Sequence, residues 1–154
     1  MQLQFDSVGE HNGRKYNRVN KRFQLQFSLL PQVVAVLGSR DYAHPLHVHQ
    51  AVRRTKESTI IVSGGARGVD QYAEDAARDT RRFKCFPILP WEWEIFGKRA
   101  GRIRNAILLT YIKEVGGCVI LFVCDPITPG SKHVVTLCEK NDIPFVVITE
   151  EGIK

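Results

Sequence analysis

Between residues 33 and 149, apolar runs of strand length alternate with longer stretches whose apolar residues recur at helical spacing. The runs VVAVL (33–37), TIIVS (59–63), FKCFPI (83–88), CVILFV (118–123) and PFVVIT (144–149) predict five strands. Runs that are apolar throughout suit strands covered on both faces. Helices are predicted between them over residues 44–56, 69–81, 100–115 and 131–141. In the third, Ile103, Ile107, Leu108, Tyr111 and Val115 make one apolar stripe. Strands and helices in strict alternation imply an α/β fold: a Rossmann-like open parallel sheet of about five strands with helices on both faces.

The first thirty residues do not follow this rhythm. QLQF occurs at 2–5 and again at 24–27, alternating polar and apolar as a strand buried on one face does. The stretch between, GEHNGRKYNRVNKR, is polar, basic and glycine-bearing. Residues 1–30 are expected to form an N-terminal β appendage, either a ribbon on the domain edge or one exchanged with a second subunit; a loose basic arm is the alternative. Pro31 marks the boundary with the Rossmann-like part, 31–154.

A length of 154 residues suits one domain with a substantial core. No apolar run approaches the roughly 20 residues that span a bilayer, and the N-terminus does not read as a secretory signal. Cys85, Cys118, Cys124 and Cys138 lack a C-x-x-C spacing and are expected to be buried thiols, which points to a cytoplasmic protein with no membrane partner. The net charge of +6 is concentrated at the front: nine Lys/Arg against three Asp/Glu through Lys56, and thirteen of each afterwards. A basic front third suits an anionic partner, single-stranded nucleic acid included, or is simply a solvated face.

Ligands of an open parallel sheet bind beyond the carboxyl ends of its strands. The loops GSR (38–40), GGARG (64–68) and DPITPGSK (125–132) all leave strands at that edge. Helix N-termini carry unpaired N–H groups and partial positive charge, and so hold anions. Gly64, Gly65 and Gly68 are expected to bring bare backbone up to a phosphate, with Arg40, Arg67 and Lys132 alongside. Asp70 falls in a first helical turn, where a carboxylate is stabilised by the helix dipole or accepts from ribose hydroxyls. His44, His47 and His49 do not complete a tetrahedral set and are expected to be a surface or cap cluster, so no metal site is assigned.

The segments GSRDY, SGGARGVDQYAEDAA, PWEWEIFGKRAGRIRNAIL and DPITPGSKHVVTLCEKNDIPFVV together resemble the YspA-like, YpsA-related branch of the SLOG superfamily over residues 33–148. The resemblance implies a cytoplasmic, homo-oligomeric protein holding a nucleotide or nucleotide-derived ligand, as a sensor or ligand-handling part of a bacterial or phage system. It implies a pocket lined by Gly38, Ser39, Arg40, Gly64, Gly65, Ala66, Arg67, Gly68, Asp70, Gly101, Arg104, Asn105, Gly130 and Ser131. Ser63, Pro129 and Lys132 flank these loops and join the ligand-binding candidates. Trp91 matches a family turn, its ring stacking on a base or, by preference, packing in the core. Arg104 is similar to the arginine of the related LOG phosphoribohydrolases, but Val134 stands where their glutamate falls, so cleavage of a nucleoside monophosphate is kept as an alternative in which Asp70 supplies the carboxylate. SGGARGVD is also similar to a stretch of DNA-processing proteins, making single-stranded DNA binding a second alternative.

Overall fold

The computed structural model describes residues 9–11, 14–16 and 33–150. Five strands, β3 (Val33–Gly38), β4 (Ile60–Ser63), β5 (Arg82–Cys85), β6 (Cys118–Val123) and β7 (Phe145–Thr149), form one sheet in the order β5-β4-β3-β6-β7, every neighbour pair parallel. The register sets Val36 opposite Ile120 and Val34 opposite both Ile61 and Cys118. Because side chains alternate along a strand, β3 sends Val34 and Val36 to one face and Ala35 and Leu37 to the other.

Each face is roofed by a helix pair. On the first, α1 (Pro45–Arg53) and α2 (Val69–Ala77) bury Val48, Ala51, Val52, Ala73 and Ala77 against Ile61, Ile120 and Phe122. On the second, α4 (Ala100–Glu114) and α5 (Pro129–Lys140) bury Leu108, Leu109, Ile112, Val134 and Cys138 against Val62, Leu121 and Val147. Fully burying one such aliphatic side chain is worth about 1.5–3 kcal/mol, so these two layers hold the sheet. The layout is the expected Rossmann-like α/β fold.

Several boundaries differ from expectation. Strand β5 stops at Cys85, because Pro87 has no N–H to give a ladder, and it lies at the sheet edge with most of its side chains exposed. Cys85 is therefore an exposed thiol; Cys124 is half-buried, and only Cys118 and Cys138 are buried as expected. Helices α1 and α2 end earlier than predicted, at Arg53 and Ala77, and α5 begins earlier, at Pro129, where the fixed φ of proline suits a first helical position. The apolar stripe of α4 is also corrected: Asn105, Leu108, Leu109 and Ile112 face the sheet, leaving Ile107 and Val115 exposed. Residues 105, 108, 109 and 112 lie on one helical side and 107 falls outside it, while Val115 follows the last helical residue, Glu114, as its C-cap.

A further helix, α3 (Pro90–Phe96), and a 3₁₀ turn (Gly97–Arg99) lead into α4 and were not expected. Pro90 opens α3, and the Glu92 carboxylate accepts from the Leu89 amide at 2.6 Å. In the N-terminal part, β1 (Gly9–His11) and β2 (Arg14–Tyr16) pair antiparallel within the stretch between the two QLQF repeats. The repeats themselves lie outside the described residues. No helix among the described residues is long and apolar enough to cross a membrane.

Candidate functional site

The chain leaves β3 toward β4 on one side and returns as β6 on the other, so the elements after β3 and β6 part at the carboxyl edge. Such a reversal opens a crevice. A cavity of about 390 Å³ fills it. Gly38, Ser39, Arg40 and Asp41 line it from the loop after β3, and Thr128, Pro129, Gly130, Ser131 and Val134 from α5 and its approach. Lys98 of the 3₁₀ turn and Gly101, Arg102, Arg104 and Asn105 of α4 contribute a side; Leu121, Ala66, Asp70, Ile88 and Trp93 complete the wall.

At its base stand Asp70, 3% exposed, and Arg104. Arg104 donates through Nη1 to the Gly64 carbonyl and, at 3.5 Å, to that of Phe86, while Nε donates to Asn105 Oδ1 at 3.0 Å. Asp70 Oδ2 accepts from the Ala66 amide at 3.2 Å. Burial pushes the Asp70 carboxyl up to about 6, against the pull of Arg104 and of backbone amides at Ala66, Gly64 and Gly38. Burial likewise lowers Arg104 below the ordinary arginine range. The anion resting in the glycine loop is thus a side chain of the protein itself.

This corrects the reason for the glycines. The Gly65 amide turns to Ser63 Oγ at 3.4 Å and the Ala66 amide to Asp70, so these two donors of the loop are engaged internally. A Cβ at Gly64 would collide with the Arg104 guanidinium, and one at Gly65 would meet Cys85 Sγ at 2.7 Å. At Gly68 it would fall 2.6 Å from Arg40 Cα. Gly65 and Gly68 also hold φ of 74° and 78°, which side chains rarely adopt. By contrast, a Cβ at Gly101 or Gly130 would meet open space in the cavity.

Of the expected ligand-binding residues, Gly38, Ser39, Arg40, Ala66, Asp70, Gly101, Arg104, Asn105, Pro129, Gly130 and Ser131 share this cavity. Ser63, Gly64, Gly65, Arg67, Gly68, Trp91 and Lys132 do not line it. Arg67 reaches outward to Asp41, 3.6 Å away. Trp91 is 51% exposed on α3, so its preferred place in the core is corrected; its neighbour Trp93 borders the cavity instead. Lys98, Arg102 and Thr128 were missed, although the run KRAGRIR already concentrated positive charge at the start of α4. At α5, Thr128 Oγ1 accepts from the Ser131 amide at 3.3 Å, and the Thr128 carbonyl accepts from Lys132 at 3.0 Å. The Gly130 amide is left without an acceptor inside that helix.

A second cluster lies beyond the ends of β3, β6 and β7. The hydroxyl of Tyr42 is hydrogen-bonded to His47 Nδ1 at 2.9 Å, and the rings of His44 and His47 stack with centroids 4.6 Å apart. Glu150 approaches His44 Nε2 at 3.7 Å and accepts from the Cys124 thiol at 3.5 Å. His47 is buried, which corrects its expected place in a surface cluster. Among the described residues no group of three or more His, Cys, Asp or Glu side chains has the arrangement of a metal site.

No family model matches the chain. The structure is similar to that of DNA processing protein A (DprA) of Streptococcus pneumoniae, at 18% identity and a TM-score of 0.46 over 77% of this chain. The present chain spans 59% of the length of that structure. The Gene 61 protein of Mycobacterium phage D29 is 30% identical over 122 residues, which are 73% of this chain and 93% of the phage protein. On that match, the chain belongs to the family of the phage Gene 61 protein.

Proposed function

We propose that the protein binds a small molecule bearing phosphate and ribose, a nucleotide or a nucleotide derivative, in the cavity between β3 and β6. The observation that carries this reading is the meeting of four cations, Arg40, Lys98, Arg102 and Arg104, around a cavity at the sheet's switch point. The cations and the Gly130 amide supply partners for phosphate; Ser39, Asn105 and Ser131 supply partners for hydroxyls; Trp93 offers a ring to a base at the mouth. The volume suits a ligand of that size. A role as sensor or ligand-handling protein, in the cytoplasm and as a homo-oligomer, rests on the resemblance to the SLOG superfamily.

Native mass spectrometry of the full chain tests the reading, because a retained ligand and the subunit count appear together. Calorimetric titration with nucleoside 5′-monophosphates, nucleosides and ribose 5-phosphate then separates the contributions of base and phosphate. Gly130→Val is the control, since a Cβ at this cavity-lining position meets no atom within 4 Å and the branched side chain takes up ligand space. Ligand occupancy that survives this substitution places the cavity reading in the wrong part of the molecule.

Single-stranded DNA is the second reading, favoured by the exposure of Trp91 and Trp93 next to Lys98 and Arg99. Affinity for a strand falls steeply between low and moderate salt, by a slope that counts phosphate contacts. Nucleoside-monophosphate cleavage has less support: Val134 presents an apolar side chain on the cavity wall, and Asp70 is the deeply buried carboxylate among the residues lining it. Release of free base, abolished in Asp70→Asn, is the result that would favour it.

A further inference from the structure

An anion cavity whose wall includes a buried carboxylate is electrostatically self-opposed, and the surroundings of Asp70 show how the conflict is held. The carboxyl is 3% exposed and takes hydrogen bonds from the backbone. Its charged neighbour, Arg104 of α4, spends its own hydrogen bonds on Gly64, Phe86 and Asn105. Other titratable groups on this side are Cys85 of β5, whose thiol is pushed up by burial and then by Glu74 of α2 so that it is neutral, and Arg40 of the β3 loop, which acts on Arg104. Asp41, Lys98 and Arg102 stand farther out on the cavity wall. Arg104 is thus the charged neighbour of Asp70 and, at the same time, one of the cations on the cavity wall that an incoming anion would meet.

We infer that the cavity takes up its anionic ligand together with one proton, which is carried by the carboxyl of Asp70. The inference rests on the cavity reading above. An anion seated against Arg104 competes for the same positive charge and adds negative charge near Asp70 where solvent screens little. The proton comes from solvent and adds to a carboxylate oxygen, without change to the ligand. The acid form removes the repulsion and turns an acceptor into an O–H donor, which makes a strong hydrogen bond to an anion's oxygen.

The sign of the pH dependence follows from the free carboxyl, which titrates at about 6. Well below that pH the proton is already in place, so anion affinity is flat. Above it each binding event must bring the proton, and affinity falls by up to about tenfold per pH unit until the carboxyl of the complex also ionises.

Inorganic sulfate is the probe, because it stays a dianion throughout this range whereas phosphate monoesters titrate near pH 6. Calorimetry on the full chain at about pH 5.5, 6.5 and 7.5, in buffers of different ionisation enthalpy, reads affinity and proton uptake together. The expected result is roughly tenfold weaker sulfate binding at the highest pH than at the lowest, with uptake rising toward one proton per anion. Asp70→Asn should bind with no pH dependence and no uptake. Sulfate binding with a pH profile shared by wild type and Asp70→Asn overturns the inference and leaves the cavity reading standing. Absence of sulfate binding in both proteins at every pH overturns the two together. If Asp70→Asn does not fold, the carbon-13 shift of the Asp70 carboxyl in the wild type decides: its titration must move to higher pH when sulfate is added, and an unmoved titration overturns the inference.

Discussion

The Arg104 guanidinium occupies the space that a side chain at Gly64 would need, and it hydrogen-bonds the Gly64 carbonyl from there. Asp70 Oδ2 would lie 2.8 Å from the same missing Cβ. Position 64 is therefore glycine because the Arg104 guanidinium and the Asp70 carboxyl crowd the place of a Cβ. Gly64→Ala should cost about 1–3 kcal/mol, the usual range for overpacking a filled interior. Shortening the arginine vacates the space, so the cost of Gly64→Ala should shrink clearly in an Arg104→Ala background. A double-mutant cycle by urea denaturation checks it; strictly additive costs would mean that the two positions do not compete for room.

Removal of Arg104 has a consequence that depends on pH. Arg104→Met leaves two carbonyls and the Asn105 oxygen without their donor, and leaves Asp70 buried without its cation. Removing a nearby cation that favours the charged form of a buried carboxyl costs stability only while that carboxyl stays ionised. The Asp70 carboxyl is ionised above about 6 and neutral well below it. The loss should therefore be largest near neutral pH and smaller near pH 4.5, as denaturation midpoints at the two pH values would show. An equal loss at both would remove Asp70 from the account.

A cavity glycine, Gly101, should behave in the opposite way to Gly64. Gly101 lies in the first turn of α4, its Cβ position is open, and its φ is not positive. Gly101→Ala should hold or raise stability, by up to about 1 kcal/mol, because alanine favours helix over glycine. The added methyl narrows the cavity, so affinity for the ligand should fall while the melting temperature does not. A loss of both would mean that Gly101 has a packing role the structure does not show.

The alternation of apolar runs was enough to locate all five strands of the sheet, because a parallel sheet with two roofs must be apolar on both sides of every inner strand. The edge strand β5 was the imprecise one, since an edge carries charged residues such as Arg82 and Lys84 that dilute the pattern. Helix α3 was missed for a similar reason: none of its residues is buried, so it has no apolar stripe to read. At the site, Ser39, Arg40, Asp70 and Ser131 could be named in advance because positions after β3, β4 and β6 must share an edge, whereas Arg104 was named only through the resemblance of RIRNA to related families. The direction in which the glycine amides point could not. GGARG reads the same whether its donors face a phosphate or Asp70, and only the path of Arg104 across Gly64 distinguishes the two.

The hydrogen bond between Tyr42 and His47 gives an acid-side test that is independent of the cavity. Burial raises the Tyr42 hydroxyl far above neutral pH, so it remains an O–H donor, and Nδ1 of the neutral imidazole accepts from it. Burial, followed by the charge of His44, lowers the pKa of His47 below its ordinary 6.5. Between that lowered value and 6.5 the unfolded chain binds a proton that the folded protein does not, so stability is lost as pH falls through this window. His47→Gln cannot titrate; whatever it costs at pH 7.5, its deficit relative to wild type should narrow on acidification toward pH 5. Tyr42→Phe should cost about 1 kcal/mol at pH 7.5, the ordinary worth of a buried hydrogen bond. Chemical denaturation of both variants at several pH values decides the point: a deficit for His47→Gln that stays constant would show that His47 takes up its proton as readily in the folded protein as in the unfolded chain.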